Sequence, residues 1–217
     1  MRVIEVSAED KMGAISEVSD ILKRGGIAAY PTETFYGVGV KYHNFHALEK
    51  LYELKRRPKN RAMPLIIGDR KFLGLICLSL NMIEEKLIEN FWPGPLTLLT
   101  SAREDLPELL TAGTGKIAVR IPGESFALAL ARSLDFPITA TSANISGMPA
   151  AKNAENVIRY FGHGLDIVID GGETRGGLPS TIVDASAGLI KIVRPGLISE
   201  EEIFEAVGLT QGKPRIQ

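Results

Sequence analysis

Hydroxyl, carboxylate and glycine residues crowd the segment that follows an early apolar run. Residues 27–30 are typical of a short buried strand, and residues 32–39 read Thr-Glu-Thr-Phe-Tyr-Gly-Val-Gly after Pro31. Because Pro31 cannot donate a ladder hydrogen bond, we expect strand pairing to fail where the polar residues begin. Glu33 and Thr34 would then be held by a rigid sheet while facing a cavity. An ordinary glycine turn explains the same pattern about equally well.

The densest positive run of the chain is a second candidate site. Residues 55–61 read Lys-Arg-Arg-Pro-Lys-Asn-Arg, and they extend a charged stripe of a helix predicted over 45–55 that carries Lys50. A charge run is usually a solvated face. This run, however, lies between a helix end and a buried strand predicted at 64–67, where a loop can be held firmly. Polyphosphate is a ligand that clustered cations in such a loop bind well.

Two more polar loops and a buried cation complete the set of candidate residues. Residues 142–147 read Ser-Ala-Asn-Ile-Ser-Gly, and a glycine-rich loop covers residues 171–180. Arg120 lies in an apolar strand predicted over 117–121, which would deliver its charge from a buried element. Hydroxyls and backbone amides hold phosphate or carboxylate oxygens, and arginines neutralise charge on a leaving group. The combination favours nucleotidyl or phosphoryl transfer.

Several common catalytic designs are excluded by the residues. The sequence has no G-x-x-x-x-G-K-[ST] loop, and residues 37–39 (Gly-Val-Gly) lack the rest of a dinucleotide-binding fingerprint. No His/Cys cluster has zinc spacing, so we predict no metal site built by the protein alone. Neither Ser142 nor Ser180 has a histidine in its motif to act as a base. We therefore interpret the hydroxyls as binding groups and not as nucleophiles.

Composition and charge limit the class of protein. A chain of 217 residues with 45% hydrophobic and 24% charged residues suits one domain, which we place at 1–208 with a tail at 209–217. The formal net charge of −1 leaves nucleic-acid affinity to a local basic patch. The single cysteine, Cys77, lies in an apolar context and predicts a packed thiol. The first ten residues do not resemble a secretory signal, and no apolar run is long enough to span a membrane, so we expect a cytoplasmic protein.

Apolar periodicity predicts an α/β or α+β domain with a mixed sheet. Predicted helices lie near 15–22, 45–55, 83–91, 124–134, 154–161 and 199–207. Predicted strands lie near 2–6, 27–30, 64–67, 96–100, 117–121, 136–141, 165–170, 181–185 and 189–194.

Seven short motifs occur in order over residues 25–196. They are PTETFYGVG, LYELKRRP, FWPGPLTLLT, IAVRIP, SANISG, PSTIVD and VRPG. Together they resemble the YrdC-like threonylcarbamoyl-AMP synthase family, in its short, single-domain form. The resemblance implies an open, twisted, mixed-sheet α/β sandwich with a large concave cavity. It also implies an enzyme that joins L-threonine, bicarbonate and ATP into threonylcarbamoyl-AMP and pyrophosphate for the threonylcarbamoyladenosine modification of tRNA.

The resemblance assigns binding roles motif by motif, although it names no general base. The residues implied for L-threonine are Thr34, Arg120 and Ser180. The residues implied for ATP are Lys50, Lys55, Arg57, Ser142, Asn144 and Arg194. Mg²⁺ is expected to accompany ATP, and tRNA or tRNA-modification proteins are possible partners downstream.

Two rival hypotheses remain. One is a double-stranded-RNA or tRNA binding module that uses the basic run at 55–61 without catalysis. Its weakness is the abundance of hydroxyls and the net charge of −1. The other is the carbamoyl-adenylate domain of hydrogenase-maturation proteins, which predicts a longer chain with zinc-finger-like cysteines.

Overall fold

Two mixed β-sheets with helices packed on them position the candidate loops. The computed structural model describes residues 1–7 and 10–209. The tail predicted at 209–217 therefore lies outside the described residues except for Leu209, and the limits of the domain stay a prediction. The mixed α/β class is confirmed, and both sheets are open at their edges.

Every predicted helix and strand is present, and two elements were not predicted: a helix at Glu108–Thr111 and a strand at Tyr36–Gly39. The helices are α1 (Lys11–Lys23), α2 (Phe45–Leu54), α3 (Met82–Phe91), α4 (Glu108–Thr111), α5 (Phe126–Ser133), α6 (Ala154–Phe161) and α7 (Glu200–Ala206). The strands are β1 (Arg2–Glu5), β2 (Ala28–Pro31), β3 (Tyr36–Gly39), β4 (Leu65–Ile66), β5 (Leu96–Ser101), β6 (Lys116–Arg120), β7 (Ile138–Thr139), β8 (Thr141–Ser142), β9 (Ile167–Asp170), β10 (Thr181–Asp184) and β11 (Lys191–Arg194).

The strand order places the candidate loops of each sheet side by side. The first sheet runs β1-β9-β2-β3-β8, and the second runs β11-β10-β5-β6-β4-β7. In the first sheet, β3 pairs antiparallel with both β2 and β8. In the second, β10 pairs antiparallel with β11 and parallel with β5, which pairs antiparallel with β6. Each sheet thus contains both parallel and antiparallel pairs, which makes both sheets mixed.

The strand predicted at 27–30 continues one residue further, to Pro31. Pro31 lies opposite Tyr36 in the β2–β3 hairpin. The N–H of Tyr36 donates to the carbonyl of Ala151 at 2.9 Å, and its carbonyl accepts from the N–H of Ala143 at 2.8 Å. Both backbone groups of Tyr36 therefore point away from Pro31. The proline occupies a position where the hairpin needs no N–H donor, so pairing includes Pro31 and ends before Thr32, where the polar residues begin, as expected.

The single strand predicted at 136–141 is divided between the two sheets. β7 pairs with β4 in the second sheet, and β8 pairs with β3 in the first. Thr139 is held at the crossing because its N–H donates to the carbonyl of Val40 and its Oγ1 accepts from the N–H of Val40, both at 2.9 Å. The crossing places the loop that begins at Ser142 beside the β2–β3 hairpin.

Two apolar clusters pack on opposite faces of the first sheet. Ile27 and Ala29 belong to the larger cluster, whereas Ala28 and Tyr30 belong to the smaller one, which also contains side chains of α1 and α5. Because successive side chains of a strand point to opposite faces, β2 is buried on both. Cys77 packs in the larger cluster, and burial raises the pKa of its thiol to about 12, so the predicted packed thiol is confirmed.

We predict that Gly39→Ala destabilises the fold. A Cβ at Gly39 would lie 2.1 Å from the carbonyl oxygen of Thr139, at the crossing between the sheets. Backbone must shift to make room, so the free energy of unfolding should fall by about 1–3 kcal/mol or more. Urea unfolding followed by circular dichroism measures the change.

The matched control is Gly13→Ala, in α1, where a new Cβ meets nothing within 4 Å. This substitution should leave stability unchanged or raise it by up to about 1 kcal/mol, since alanine favours helix. Equal unfolding midpoints for Gly39→Ala and the native protein would show that the crossing is not closely packed.

Candidate active site

Hydrogen bonds within the protein hold the hairpin turn that carries Thr34. Thr32 Oγ1 donates to the carbonyl of Phe35 at 2.6 Å and accepts from the N–H of Thr34 and of Phe35 at 3.2 and 3.3 Å. The carbonyl of Thr34 accepts from the N–H of Gly176 at 2.7 Å, so the glycine-rich loop lies against the turn. Thr34 is itself buried. The turn is therefore a rigid support whose geometry is set by the Thr32 hydroxyl and by the contact with Gly176.

The loop after β8 closes on itself through side chains. Ser142 Oγ donates to Asn144 Oδ1 at 2.6 Å, and Asn144 Nδ2 donates to the carbonyl of Met148. Ser142 lies opposite Gly37 of β3, which joins this loop to the Thr34 hairpin. Asn144 is buried, whereas Ser142 is exposed. Of these two side chains, Ser142 is the one that a ligand reaches first.

Lys55 has partners that its sequence context did not indicate. Its Nζ donates to the carbonyls of Ser142 and Asn144 at 2.5 and 2.7 Å, and the side chain is 1% exposed. Burial, and to a lesser extent the charge of Arg57, lowers the pKa of Lys55 to about 7. The amine thus supports the loop after β8 from the inside. Direct contact of Lys55 with ATP stays a prediction.

Arg57 also bonds main-chain carbonyls, and Lys50 lies apart. The Arg57 guanidinium donates from Nε to the carbonyl of Arg61 at 3.1 Å and from Nη2 to that of Ala62 at 2.6 Å. Burial lowers the pKa of Arg57. Lys50 is exposed on α2, and no hydrogen bond or ion pair within residues 1–7 and 10–209 joins it to the other candidates. The basic run is therefore a folded loop, with two of its cations turned inward.

Arg120 forms an ion pair with Glu33 that connects the two sheets. Arg120 ends β6 of the second sheet, and Glu33 lies in the β2–β3 turn of the first; the pair joins Arg120 Nη1 to Glu33 Oε1. The side chains are 13% and 18% exposed, respectively. Glu33 Oε2 is shielded from solvent and has no hydrogen-bond partner among residues 1–7 and 10–209. Glu33 is thus already paired with Arg120, whose guanidinium the resemblance assigns to the carboxylate of L-threonine.

Ser180 and Arg194 lie on the same edge of the second sheet as Arg120. Arg194 Nη2 donates to the carbonyl and to Oγ of Ser180 at 2.7 and 3.0 Å, and Ser180 Oγ lies 2.8 Å from Thr97 Oγ1. Burial, and then the charge of Arg120, lowers the pKa of Arg194. Leu98 pairs with Val119, so Thr97 and Arg120 each lie one residue beyond that pair. Four neighbouring strands therefore deliver hydroxyls and cations to one edge.

The structure brings most of the predicted residues into two adjoining groups. One group consists of Arg120, Ser180 and Arg194, with Thr34 next to Glu33, the ion-pair partner of Arg120; the other consists of Lys55, Arg57, Ser142 and Asn144. The β3–β8 pairing joins the groups, since the turn before β3 carries Thr34 and the loop after β8 begins at Ser142. Lys50 stands outside both. The arrangement can hold a small carboxylate beside a larger phosphorylated ligand.

Two supporting residues were missed by the sequence reasoning. Thr97 is buried against Ser180, and its only signal was a polar position in the apolar motif FWPGPLTLLT. Tyr36 Oη donates to the carbonyl of Gly172 at 2.8 Å and accepts from the N–H of Gly171 at 3.1 Å, which fastens the start of the glycine-rich loop. The sequence gives no sign that a tyrosine in a buried strand also holds a distant loop through its hydroxyl.

A separate pocket lies on another part of the surface. Its volume is about 420 Å³, and its lining includes Phe45, Glu49, Lys59 and Glu108. Lys59 belongs to the basic run at 55–61, but none of these four residues is among those assigned to L-threonine or ATP. Within residues 1–7 and 10–209, no group of three or more His, Cys, Asp or Glu side chains could hold a metal ion. No helix in that part of the chain has the length and apolarity needed to cross a bilayer.

Comparison with known proteins places the chain in a family. A family model for the Sua5, YciO and YrdC proteins, described as "Telomere recombination", matches residues 20–196. The chain belongs to the Sua5/YciO/YrdC family. The resemblance carried by the seven motifs is therefore confirmed.

Relatives within the Sua5/YciO/YrdC family bear an enzyme's name. A Pyrococcus abyssi protein named threonylcarbamoyl-AMP synthase is 36% identical over 216 residues, which is 99% of this chain and 63% of the relative. A Thiobacillus denitrificans protein of the same name is 37% identical over 184 residues, which is 85% of this chain and 97% of the relative. The chain thus spans less than two thirds of the first relative and nearly all of the second.

A solved structure agrees with the fold described above. The Sua5 protein of Pyrococcus abyssi, in complex with L-threonine, has a TM-score of 0.88 at 33% identity. The match covers 96% of this chain and 61% of that one. The two mixed sheets are thus shared with a Sua5/YciO/YrdC protein that binds an amino acid.

We predict that Lys55 makes the free energy of unfolding rise with pH through the alkaline range. The pKa of Lys55 is about 7 in the folded protein, against 10.5 for the ordinary side chain. Between these values the unfolded chain binds more protons than the folded one, so the free energy of unfolding should rise with pH. The free-energy cost of burying the protonated Lys55 amine is fully present below pH 7 and disappears as pH approaches 10.5.

The difference in unfolding free energy between the native protein and Lys55→Met should therefore increase from pH 7 to 10, by at most about 1.4 kcal/mol per pH unit. Chemical denaturation across this range measures it. Lys50→Met is the control, because Lys50 is exposed. Parallel pH profiles for the native protein and Lys55→Met would refute the lowered pKa.

Proposed function

We propose that this chain is a threonylcarbamoyl-AMP synthase, which converts L-threonine, bicarbonate and ATP into threonylcarbamoyl-AMP and pyrophosphate. The observation that supports the proposal best is the meeting of Arg120, Ser180 and Arg194 where the two sheets adjoin, next to the turn that carries Thr34. Hydroxyls and two guanidinium groups there suit an amino acid carboxylate next to a phosphate. The names of the Sua5/YciO/YrdC relatives agree with this chemistry. We place the catalytic domain at residues 1–208.

L-Threonine would bind at the edge of the second sheet. Arg120 would receive its carboxylate, while the hydroxyls of Thr34 and Ser180 complete the pocket. Thr97 and Arg194 hold Ser180 from two sides, so the position of its hydroxyl is set before a ligand arrives. Such preorganisation lowers the entropic cost of binding.

ATP would lie along the loop after β8. Ser142 and Asn144 would contact the nucleotide, and Lys50, Lys55 and Arg57 would balance the charge of the phosphates. Lys55 would act at least partly by fixing the loop, because its amine already has two carbonyl partners. Arg194 would close over the nucleotide. Mg²⁺ would enter on the phosphate oxygens of ATP and supply further positive charge.

The reaction requires a neutral amine and a good leaving group. The threonine amine would take up carbon dioxide derived from bicarbonate to form a carbamate, whose oxygen attacks the α-phosphate of ATP as pyrophosphate leaves. Arg57 and Arg194 would stabilise the charge that develops on the phosphates. The pocket's main contribution is to hold the carbamate next to the α-phosphate. Transfer to tRNA, with its partner proteins, would follow in the cytoplasm.

A binding module for RNA without catalysis is the less favoured alternative. It depends on the basic run at 55–61, yet Lys55 is buried and Arg57 bonds two carbonyls. The run therefore presents fewer free cations than its sequence indicates. Binding of RNA without turnover of ATP would favour this alternative.

The decisive experiment measures pyrophosphate release. We expect release only when ATP, L-threonine and bicarbonate are all present, with threonylcarbamoyl-AMP detected by mass spectrometry. Arg120→Gln should lower kcat/KM for threonine by about 100-fold, because it removes a charged partner of the substrate carboxylate. Arg132→Gln, whose side chain is 54% exposed, is the control. Release that is independent of threonine, or undiminished in Arg120→Gln, would contradict the proposal.

A second experiment tests the phosphate-binding loop. Arg57→Ala should lower kcat/KM for ATP by about 10- to 100-fold, since a partly buried guanidinium near the phosphates is lost. Lys59→Ala removes an exposed cation of the same loop and should have little effect. Equal kinetic constants for the two variants would place ATP elsewhere.

A further inference from the structure

The ion pair between Glu33 and Arg120 occupies the place assigned to a ligand. Arg120 Nη1 contacts Glu33 Oε1, and both side chains are largely removed from solvent. A ligand carboxylate that reaches Arg120 must meet this pair. The inference below rests on the proposed function, because it takes L-threonine as the ligand.

The pair is incompletely satisfied. An arginine and a carboxylate pair most strongly when two parallel hydrogen bonds join them. Here Glu33 Oε2 is shielded from solvent and has no hydrogen-bond partner in the part of the chain that the structure describes. Leaving a buried acceptor unpaired costs free energy. The resting pair is therefore less stable than one in which Glu33 could turn both oxygens to partners or water.

The turn does not depend on the Glu33 side chain for its shape. Thr32 closes the turn through three hydrogen bonds, and the carbonyl of Thr34 is held by Gly176. All of these contacts involve other residues. The Glu33 carboxylate can consequently leave Arg120 without unmaking the turn that carries it.

Gly123 lies beside the Glu33 side chain. A Cβ added at Gly123 would lie 3.9 Å from Glu33 Cγ. Because Gly123 has no side chain of its own, none has to move on this side when Glu33 rotates.

A second cation makes exchange of one carboxylate for another favourable. Arg194 lies close enough to Arg120 for its pKa to be lowered by that charge, after the effect of burial, and its Nη2 is directed to Ser180. Arg120 and Arg194 carry two positive charges against the single negative charge of Glu33. An incoming carboxylate therefore enters a region with an excess of positive charge.

We propose that Glu33 is the resting counter-ion of Arg120 and that the carboxylate of the amino acid substrate displaces it. Glu33 is then a specificity-determining residue. A ligand must carry a carboxylate able to replace that of Glu33, and ligands without one leave the pair closed. The displaced side chain rotates toward Gly123, and the turn keeps its shape.

The test compares threonine binding to the native protein and Glu33→Gln by isothermal titration calorimetry. Removal of the competing charge should tighten binding of L-threonine roughly tenfold, the size expected for one charge-assisted hydrogen bond. L-Threoninol, which has no carboxylate, should not gain affinity. Glu33→Asp, whose shorter side chain loosens the pair, should fall between the native protein and Glu33→Gln.

Two controls keep the result interpretable. Glu124→Gln removes an 89% exposed carboxylate that pairs with Arg132, and it should leave threonine affinity unchanged. Thermal unfolding of each variant without ligand shows whether it is folded; should Glu33→Gln be unfolded, Glu33→Asp alone decides by its change in affinity.

The outcomes separate this inference from the proposed function. Weaker or unchanged threonine binding in Glu33→Gln, with pyrophosphate release by the native protein intact, overturns the displacement and leaves the synthase activity standing. Equal gains for threonine and threoninol overturn it as well, because the carboxylate would then play no part. If threonine binds to neither the native protein nor the variants, the proposed function and the inference fall together.

Discussion

Three buried or partly shielded cations of the site each have a partner on another strand or loop, and this constraint organises the structure. Arg120 has Glu33, Arg194 has Ser180, and Lys55 has the carbonyls of Ser142 and Asn144. Burying an unpaired charge is too costly for a domain of ordinary stability. The partners come from a different strand or loop in every case. Each cation therefore ties together segments that are distant in sequence.

These contacts between distant segments explain why the site is rigid although loops form it. The Thr34 turn, the glycine-rich loop and the loop after β8 lack regular hydrogen-bonding ladders of their own. Thr32 closes the first, Tyr36 fastens the second, and Lys55 supports the third. A site of this kind combines the reach of loops with the order of a sheet, which preorganised binding requires.

The sequence predicted the fold well where apolar periodicity was strong. The helix α6 and the pairing of β10 with β11 follow directly from such patterns. It failed at 136–141, because a short apolar run has the same appearance whether it stays in one sheet or crosses to another. Pairing of β2 ends after Pro31, where the polar residues begin, as the sequence predicted.

The site residues were predicted by type more successfully than by role. The motifs indicated the cations and hydroxyls, and most of them adjoin in the structure. Sequence alone cannot tell that Lys55 faces inward or that Glu33 meets Arg120, because both depend on contacts across 87 positions of the chain. Long-range partners of this kind are the part of a site that local patterns do not encode.

The crossing at Ala140 has a consequence for how this chain can vary. β7 and β8 are separated by one residue, yet each is in register with a different sheet. Lengthening or shortening this link by one position would turn the side chains of β8 to the opposite side, or pull one of the two strands out of line. Insertions are therefore tolerated far better in the outer turns than here. The number of residues between Ile138 and Ser142 must stay constant to keep the two sheets in alignment.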